Sequence, residues 1–349
     1  MGDASSPPPT STRNDAEIPA PKLVPIRILT HNVRYATDTP DETEWLWPDR
    51  FPYLSSHFKY HTRPHFAPQT TIVCMQEVLR EQLLDLHSKT FNTPILHSTN
   101  GHDDNDWAYV GVGRDDGQTK GEYSPIFFRK SAWNCIHSDT IWLNETGEKG
   151  QKGWDAGSVR ILTYAALELV PSSDATNRPT GVILAMNTHL DNEGERSRRE
   201  SAKLIIELTR RLWSEYSPFF TFLCGDLNSE PSGDAYKILN AHNSGYIDTR
   251  RILHHDLRKD TGKVYAQGNE LTFTGFPGDA GAIGRERIDF IHLGTEIADG
   301  LENDWASEEA ALTRFKDIVH GYGVLPNRFD DRVWLSDHRA VVVDLLVPL

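Results

Sequence analysis

Short apolar runs recur along the chain, and one after another they end abruptly in a polar side chain. Ile26-Arg-Ile-Leu-Thr-His runs into Asn32, and Thr70-Thr-Ile-Val-Cys-Met runs into Gln76-Glu77. Gly181-Val-Ile-Leu-Ala-Met runs into Asn187-Thr-His189, and Phe219-Phe-Thr-Phe-Leu-Cys-Gly into Asp226-Leu-Asn228-Ser-Glu-Pro. Arg287-Ile-Asp289-Phe-Ile-His-Leu carries an acid between apolar neighbours, and Trp334-Leu-Ser-Asp337-His338 leads into a terminal apolar run. Such runs, bounded by turn residues, read as buried strands. Residues two apart on an extended chain share a side, so Asp226 and Asn228 face one way, as do Asn187, His189 and Asp191. In isolation each of these ends also reads as a turn residue or a helix-initiating acid.

Helical spacing fills the intervals. Phe51, Leu54 and Phe58 predict a helix over 45–61, and 79–86 reads the same way. Ala202, Ile205, Leu208 and Leu212 predict an amphipathic helix over 195–216, and 234–239 is a shorter one. Arg196, Arg198 and Arg199 crowd the first turn of the longer helix, either as a solvated face or as an anion-facing cluster. Residues 122–130 and 159–169 read as further strands, 102–116 as a solvated acidic loop or substrate rim, and 271–277 as turns. Elements interleave with no domain-scale linker and no repeat. That predicts one layered α/β domain over 26–349, behind a disordered leader, 1–25, rich in proline and serine.

Composition narrows the function. The chain has 349 residues, 38% of them hydrophobic, a mean hydropathy of −0.51 and a formal charge of −14. An acidic mean field repels phosphates, which argues against tight non-specific binding of nucleic acid. Cys74, Cys135 and Cys224 are widely spaced and odd in number, so they read as free thiols and not as a disulfide frame or a zinc site. No 18-residue apolar run predicts a membrane span, and no signal peptide is visible, which points to an intracellular, cytoplasmic protein. No protein partner and no organic cofactor are expected.

The strand-end inventory is hard oxygen donors plus two histidines, without cysteine. That set suits Mg²⁺ or Mn²⁺. Phosphoryl chemistry needs such an ion, an acid to activate water and donors around the phosphate. The ordered set Asn32, Gln76-Glu77, Asn187-Thr-His189, Gly225-Asp-Leu-Asn228, Ile288-Asp289-Phe and Ser336-Asp-His338 resembles the endonuclease/exonuclease/phosphatase superfamily, the deoxyribonuclease-I-like enzymes. The stretches Gly111–Gly117, Gly121–Tyr123 and Lys152–Asp155 are similar to a bacterial and fungal branch of it.

The resemblance implies a four-layered α/β sandwich, two packed and mainly antiparallel sheets flanked by helices. It also implies roles. Glu77, Asn32 and Asp337 would hold the metal, Asp226 would activate water and Asn228 would orient it. His338 would contact phosphate with Asp289 orienting it, and His189 would stabilise the transition state or leaving group. Some members carry an acid where this chain has Arg34. Arg34, with Arg114, is therefore expected to contact substrate phosphate. The expected activity is a divalent-metal-dependent phosphoesterase, foremost a phosphodiesterase of nuclease type, acting on a phosphate ester with nucleic acid among the options. A phosphomonoesterase on a sugar or inositol phosphate, and a catalytically silent binding module of the same fold, are the alternatives.

Overall fold

Alternation along the strands sorts the apolar residues into three layers of core, and the layers define the architecture. The computed structural model describes residues 23–64, 66–93, 105–171, 181–256, 266–277, 285–294, 312 and 315–348. Its strands are β1 (Leu23–Asn32), β2 (Ile72–Gln76), β3 (Trp107–Val110), β4 (Ile126–Arg129), β5 (Trp133–Trp142), β6 (Ile161–Leu169) and β7 (Val182–His189). They continue with β8 (Phe220–Asp226), β9 (Tyr246–Asp248), β10 (Gln267–Gly268), β11 (Asp289–Gly294), β12 (Val319–Val324) and β13 (Val341–Pro348). The α-helices are α1 (Trp47–Thr62), α2 (Arg80–Asp85), α3 (Glu195–Tyr216), α4 (Asp234–Leu239) and α5 (Thr249–Asp256), and α2 continues as a π-helical turn over Leu86–Phe91.

One seven-stranded sheet runs β10-β12-β13-β1-β2-β4-β3, and one six-stranded sheet runs β5-β6-β7-β8-β11-β9. Both are mixed: β1–β2, β10–β12 and β7–β8 pair parallel, and the other pairs are antiparallel. Ile28, Cys74 and Ile126 from the first sheet meet Ala185, Phe222 and Ile291 from the second in a shared core. Their strand neighbours point outward. Leu29, Val73 and Met75 pack on Trp47, Leu54 and Phe58 of α1. Leu184, Met186 and Leu223 pack on Ala202, Ile205 and Leu212 of α3. Helix, sheet, sheet and helix are thus the four layers expected.

Several details depart from the sequence reading. β1 starts at Leu23, so the last three residues assigned to the leader are strand, while 1–22 lie outside the described residues. Within the stretch expected as a loop, Trp107–Val110 is an edge strand that pairs with β4, anchored by the buried Trp107. Strands β5, β9, β10 and β12 and helix α5 carried no clear periodic signal. No helix among the described residues is long and apolar enough to cross a membrane. Cys74, Cys135 and Cys224 are free thiols, as expected.

Candidate active site

The cleft opens where the inner rows of both sheets change from apolar to polar. Ile28, Thr30 and Asn32 follow one row, and Ile72, Cys74 and Gln76 follow another. Ile183, Ala185, Asn187 and His189 follow a third, and Phe222, Cys224 and Asp226 a fourth. The first members of each row are core and the last are polar and buried. The parallel registers set Asn32 beside Gln76 and His189 beside Asp226, and the antiparallel register of β8 with β11 sets Asp289 opposite Asp226. Beneath the cleft, Gln76 Nε2 donates to Asn187 Oδ1 at 2.6 Å, and Asn187 Nδ2 donates to the carbonyls of Met75 and Pro125. These amides clasp the two sheets together. Asn187 is therefore structural, although it shares a row with His189.

Three site residues, Arg34, Glu77 and Asn228, hold left-handed backbone conformations, with φ of 58°, 60° and 44°. Such conformations are strained for side chains other than glycine and cluster at functional sites. Here they turn the chain at the strand ends and bring Glu77 and Asn228 into the cleft.

Asp226 is the centre of the hydrogen-bond network. Its Oδ1 accepts the Asn228 backbone N–H at 2.9 Å, and its Oδ2 accepts Asn32 Nδ2 at 3.0 Å. Asn32 Nδ2 also donates to Glu77 Oε1 at 2.9 Å, so one amide ties the two acids. The Asn32 oxygen is occupied by the Arg34 backbone N–H at 3.0 Å. Asn32, expected in the metal shell, donates to both acids in this arrangement. Glu77 Oε2 accepts the Tyr35 N–H at 3.1 Å.

The two histidines are held differently. His338 Nδ1 lies 2.8 Å from Asp289 Oδ2; a carboxylate accepts, so the proton sits on Nδ1 and Nε2 lies 3.7 Å from Asp226. Asn228 Nδ2 donates to the Leu190 carbonyl at 2.9 Å and meets His189 Nε2 at 3.0 Å. An amide N–H only donates, so in the neutral ring Nε2 is the acceptor, and Nδ1 lies 3.7 Å from Glu122.

Electrostatics separates the acids. Burial opposes ionisation of Glu77, but His189, the Asn32 amide and His338 outweigh it and hold Glu77 at about 2. Burial, and then the charge of Asp289, raises Asp226. Burial pushes Asp337 up to about 6, with the charge of Glu77 adding to it. Burial alone would depress His338, but Asp289 and then Asp226 hold it well above the ordinary histidine value. Acids pushed apart in this way mark candidate acid–base sites.

The cleft holds about 560 Å³. Arg34, Glu77, Arg114, His189, Asp226, Asn228, Asp337 and His338 line it, while Asn32 and Asp289 stand behind the lining. Arg34 is not a free cation: its Nε and Nη2 fork onto the buried Glu44 at 3.0 and 3.2 Å, and its guanidinium lies over the Tyr35 ring. Arg114 is paired with Glu122 at 2.7 Å. The lining also includes Glu122, Ser158, Arg160 and Asn192, which sequence reading did not select. They sit in loops, where no periodicity marks a facing direction. Asp191 turns away from the cleft and binds loop N–H groups and Arg160. Of the first-turn arginines, Arg198 bonds the Asp191 carbonyl and Arg199 pairs with Glu200, so neither faces the cleft.

The donor set fits a small divalent cation. Asp226, Asp289 and His338 bring one potential ligand atom each within 4.8 Å of one another, a group that could hold a metal ion. Asp289 Oδ1 is buried without a hydrogen-bond partner. Glu77, tied to Asp226 through Asn32, and Asp337 add oxygen donors to the lining of the same cleft, and hard oxygen ligands suit such an ion.

No protein-family model and no curated protein matches the chain. Solved structures do. An endonuclease/exonuclease/phosphatase from Bacteroides vulgatus is 28% identical at a TM-score of 0.67, over 92% of this chain and 98% of that one. A mannosyl-6-phosphatase of Bacteroides thetaiotaomicron VPI-5482 is 23% identical at 0.65, over 92% and 99%. TDP2 of D. rerio, solved with a single-strand DNA product, is 14% identical at 0.54, over 92% and 98%. The sandwich is that of the endonuclease/exonuclease/phosphatase superfamily, and the resemblance read from the sequence is borne out.

Proposed function

We propose that this protein hydrolyses a phosphate ester by attack of an activated water, with Mg²⁺ or Mn²⁺ as cofactor. The observation that carries the reading is the convergence on Asp226: an acid raised by burial and Asp289, tied through Asn32 to Glu77 and flanked by His189 and His338. Asp226 takes the proton of the attacking water, and its elevated affinity for protons makes it a better base than a solvated aspartate. Asn228 keeps Asp226 and His189 in register. His338, aligned by Asp289, presents Nε2 to a phosphoryl oxygen, and its positive charge offsets the charge that develops there. His189 stands on the leaving-group side. The water oxygen bonds phosphorus, the ester P–O bond breaks, and the departing oxygen takes up a proton from solvent. Glu77 and Asp337 would hold the cation, which supplies Lewis-acid polarisation of the phosphoryl oxygens when bound. Arg34 lines the phosphate site with its charge balanced by Glu44, and can offer guanidinium N–H groups to a phosphoryl oxygen.

A phosphodiester is the substrate class expected first, and a phosphomonoester is the second. The cleft favours the second: about 560 Å³ is the size of a small-ligand site, and the chain carries a charge of −14. Superfamily structures named for a sugar phosphatase and for a DNA product complex are compatible with either class.

The test is a metal-supplemented panel of nucleic acid, lipid-headgroup and sugar phosphates. Turnover should require Mg²⁺ or Mn²⁺ and vanish in excess chelator. Full activity in chelator would sink the assignment, and binding without turnover of any ester would leave a silent binding module.

A further inference from the structure

The flank of the cleft beyond His189 takes no part in the hydrolytic step, yet it is firmly built. Arg160 is 4% exposed. Its Nε donates to Asp191 Oδ2 at 3.0 Å and its Nη2 to Asn192 Oδ1 at 2.8 Å, while Nη1 is buried with no hydrogen-bond partner. Asp191 cannot swing away, because it also accepts the backbone N–H groups of Gly157, Ser158, Glu193 and Gly194. Those bonds, with Arg160, outweigh burial and hold it at about 2. Nearby, Arg114 Nη1 donates to Glu122 Oε2 at 2.7 Å, and Arg114 Nε is buried without a hydrogen-bond partner, 3.8 Å from Asp115. Ser158 and Asn192 complete the flank.

Charge decides what such a wall can bind. Each guanidinium is balanced by carboxylate: Arg160 by Asp191, and Arg114 by Glu122 with Asp115 3.8 Å from its Nε. No surplus positive charge is left to hold a second phosphate, and the chain's own field opposes one. An apolar leaving group would strand the spare N–H of Arg160, at the cost of an unsatisfied buried donor. A hydroxyl group both donates and accepts, and so matches a wall that offers guanidinium N–H groups beside carboxylate and amide oxygens.

We propose that this wall reads the hydroxyl groups of an uncharged, sugar-like polyol leaving group, with Arg160 as its specificity-determining residue and Arg114, Ser158 and Asn192 as its companions. The proposal rests on the phosphoesterase reading and deepens it.

Steady-state kinetics with Mg²⁺ test it on the 6-phosphates of glucose, mannose and galactose, 4-nitrophenyl phosphate and fructose 1,6-bisphosphate. The quantity read is the ratio of kcat/KM for the best hexose phosphate to that for 4-nitrophenyl phosphate. Arg160→Gln should lower this ratio roughly 10- to 100-fold, the worth of one charged hydrogen bond. Asn192→Ala, at an exposed position that folding tolerates, should lower it in the same direction but by less, and decides the matter if Arg160→Gln does not fold. An unchanged ratio in the folded variants, or a wild-type preference for the bisphosphate over every hexose monophosphate, overturns the proposal. If the wild type turns over no ester, the same hexose phosphates are titrated into Asp226→Asn and into Asp226→Asn carrying Arg160→Gln, both with Mg²⁺. Binding that depends on Arg160 then upholds the wall while the phosphoesterase reading fails. Equal binding by both proteins, or none by either, overturns the wall.

Discussion

The two flanks of the cleft are built by different means. On one, Asn32, Glu77, Asp226 and Asp289 stand at or beside strand ends, and sheet registers set their spacing: Asn32 beside Gln76, Asp226 opposite Asp289. On the other, Arg114, Glu122, Ser158, Arg160 and Asn192 stand in loops, held by side-chain bonds to one another and to Asp191. The first flank concentrates buried acids whose charge His189, His338 and the Asn32 amide offset in part. The second pairs every arginine with a carboxylate. A rigid sheet end can hold like charges close together, because backbone ladders oppose their separation, and this suits chemistry. Loops can change length and sequence without disturbing the sheets, and this suits selection among substrates.

The largest effect should come from the centre of the charged flank. Asp226→Asn keeps the shape and removes the base, so kcat should fall by on the order of 10²–10⁴. Melting in chelator should be unchanged or slightly higher, because the variant removes a buried carboxylate that Asp289 already repels. A variant that melts early yet turns over at near wild-type rate would make Asp226 a turn-capping residue and erase the functional contrast between the flanks.

A smaller effect should follow one step back from the substrate. Asp289→Asn preserves the side-chain volume but removes the charge that does most to raise His338. Activity should drop about 10- to 100-fold, as for other residues that orient a functional imidazole. The sign of the pH effect follows from the raised value. His338 stays protonated to higher pH in the wild type, so losing Asp289 should move the alkaline limb of the kcat profile to lower pH. A drop in activity with an unmoved limb would mean that Asp289 supports the fold and not the imidazole.

Strand-end residues were legible because period-two alternation ties facing direction to position. Once Phe222 and Cys224 are core, Asp226 must face the same way, and the same holds for His189 after Ile183 and Ala185. Glu77 breaks that rule: it is out of step with Ile72 and Cys74 and reaches the cleft only through its left-handed backbone, so its motif and not its periodicity gave it away. The loop flank had no such signal. Arg160 follows a polar loop, and its partner Asp191 was placed on the same side as His189 because alternation was carried beyond the end of β7. Edge strands failed for a related reason. β5 reads Trp-Asn-Cys-Ile-His-Ser-Asp-Thr-Ile-Trp, is largely exposed along its middle and shifts register between Cys135 and His137, so its alternation is blurred.

The smallest effect tests the neutral flank directly. Salt weakens binding in proportion to the number of phosphates that cations must grip, with a log–log slope of about −0.9 per neutralised phosphate on duplex DNA. A single phosphate held beside Arg34 and His338 should therefore lose roughly fourfold or less in kcat/KM between 50 and 200 mM KCl. The paired arginines of the loop flank should add nothing, because Asp191 and Glu122 already neutralise them at every ionic strength. The measurement is kcat/KM for the best substrate of the panel across that salt range, at saturating Mg²⁺. A fall approaching a thousandfold would correspond to roughly six or more gripped phosphates. Such a slope would require a long polyanion lying across cations outside the lined cleft. It would replace the small-substrate reading with a polymeric one, and the loop flank would lose its claim to choose the leaving group.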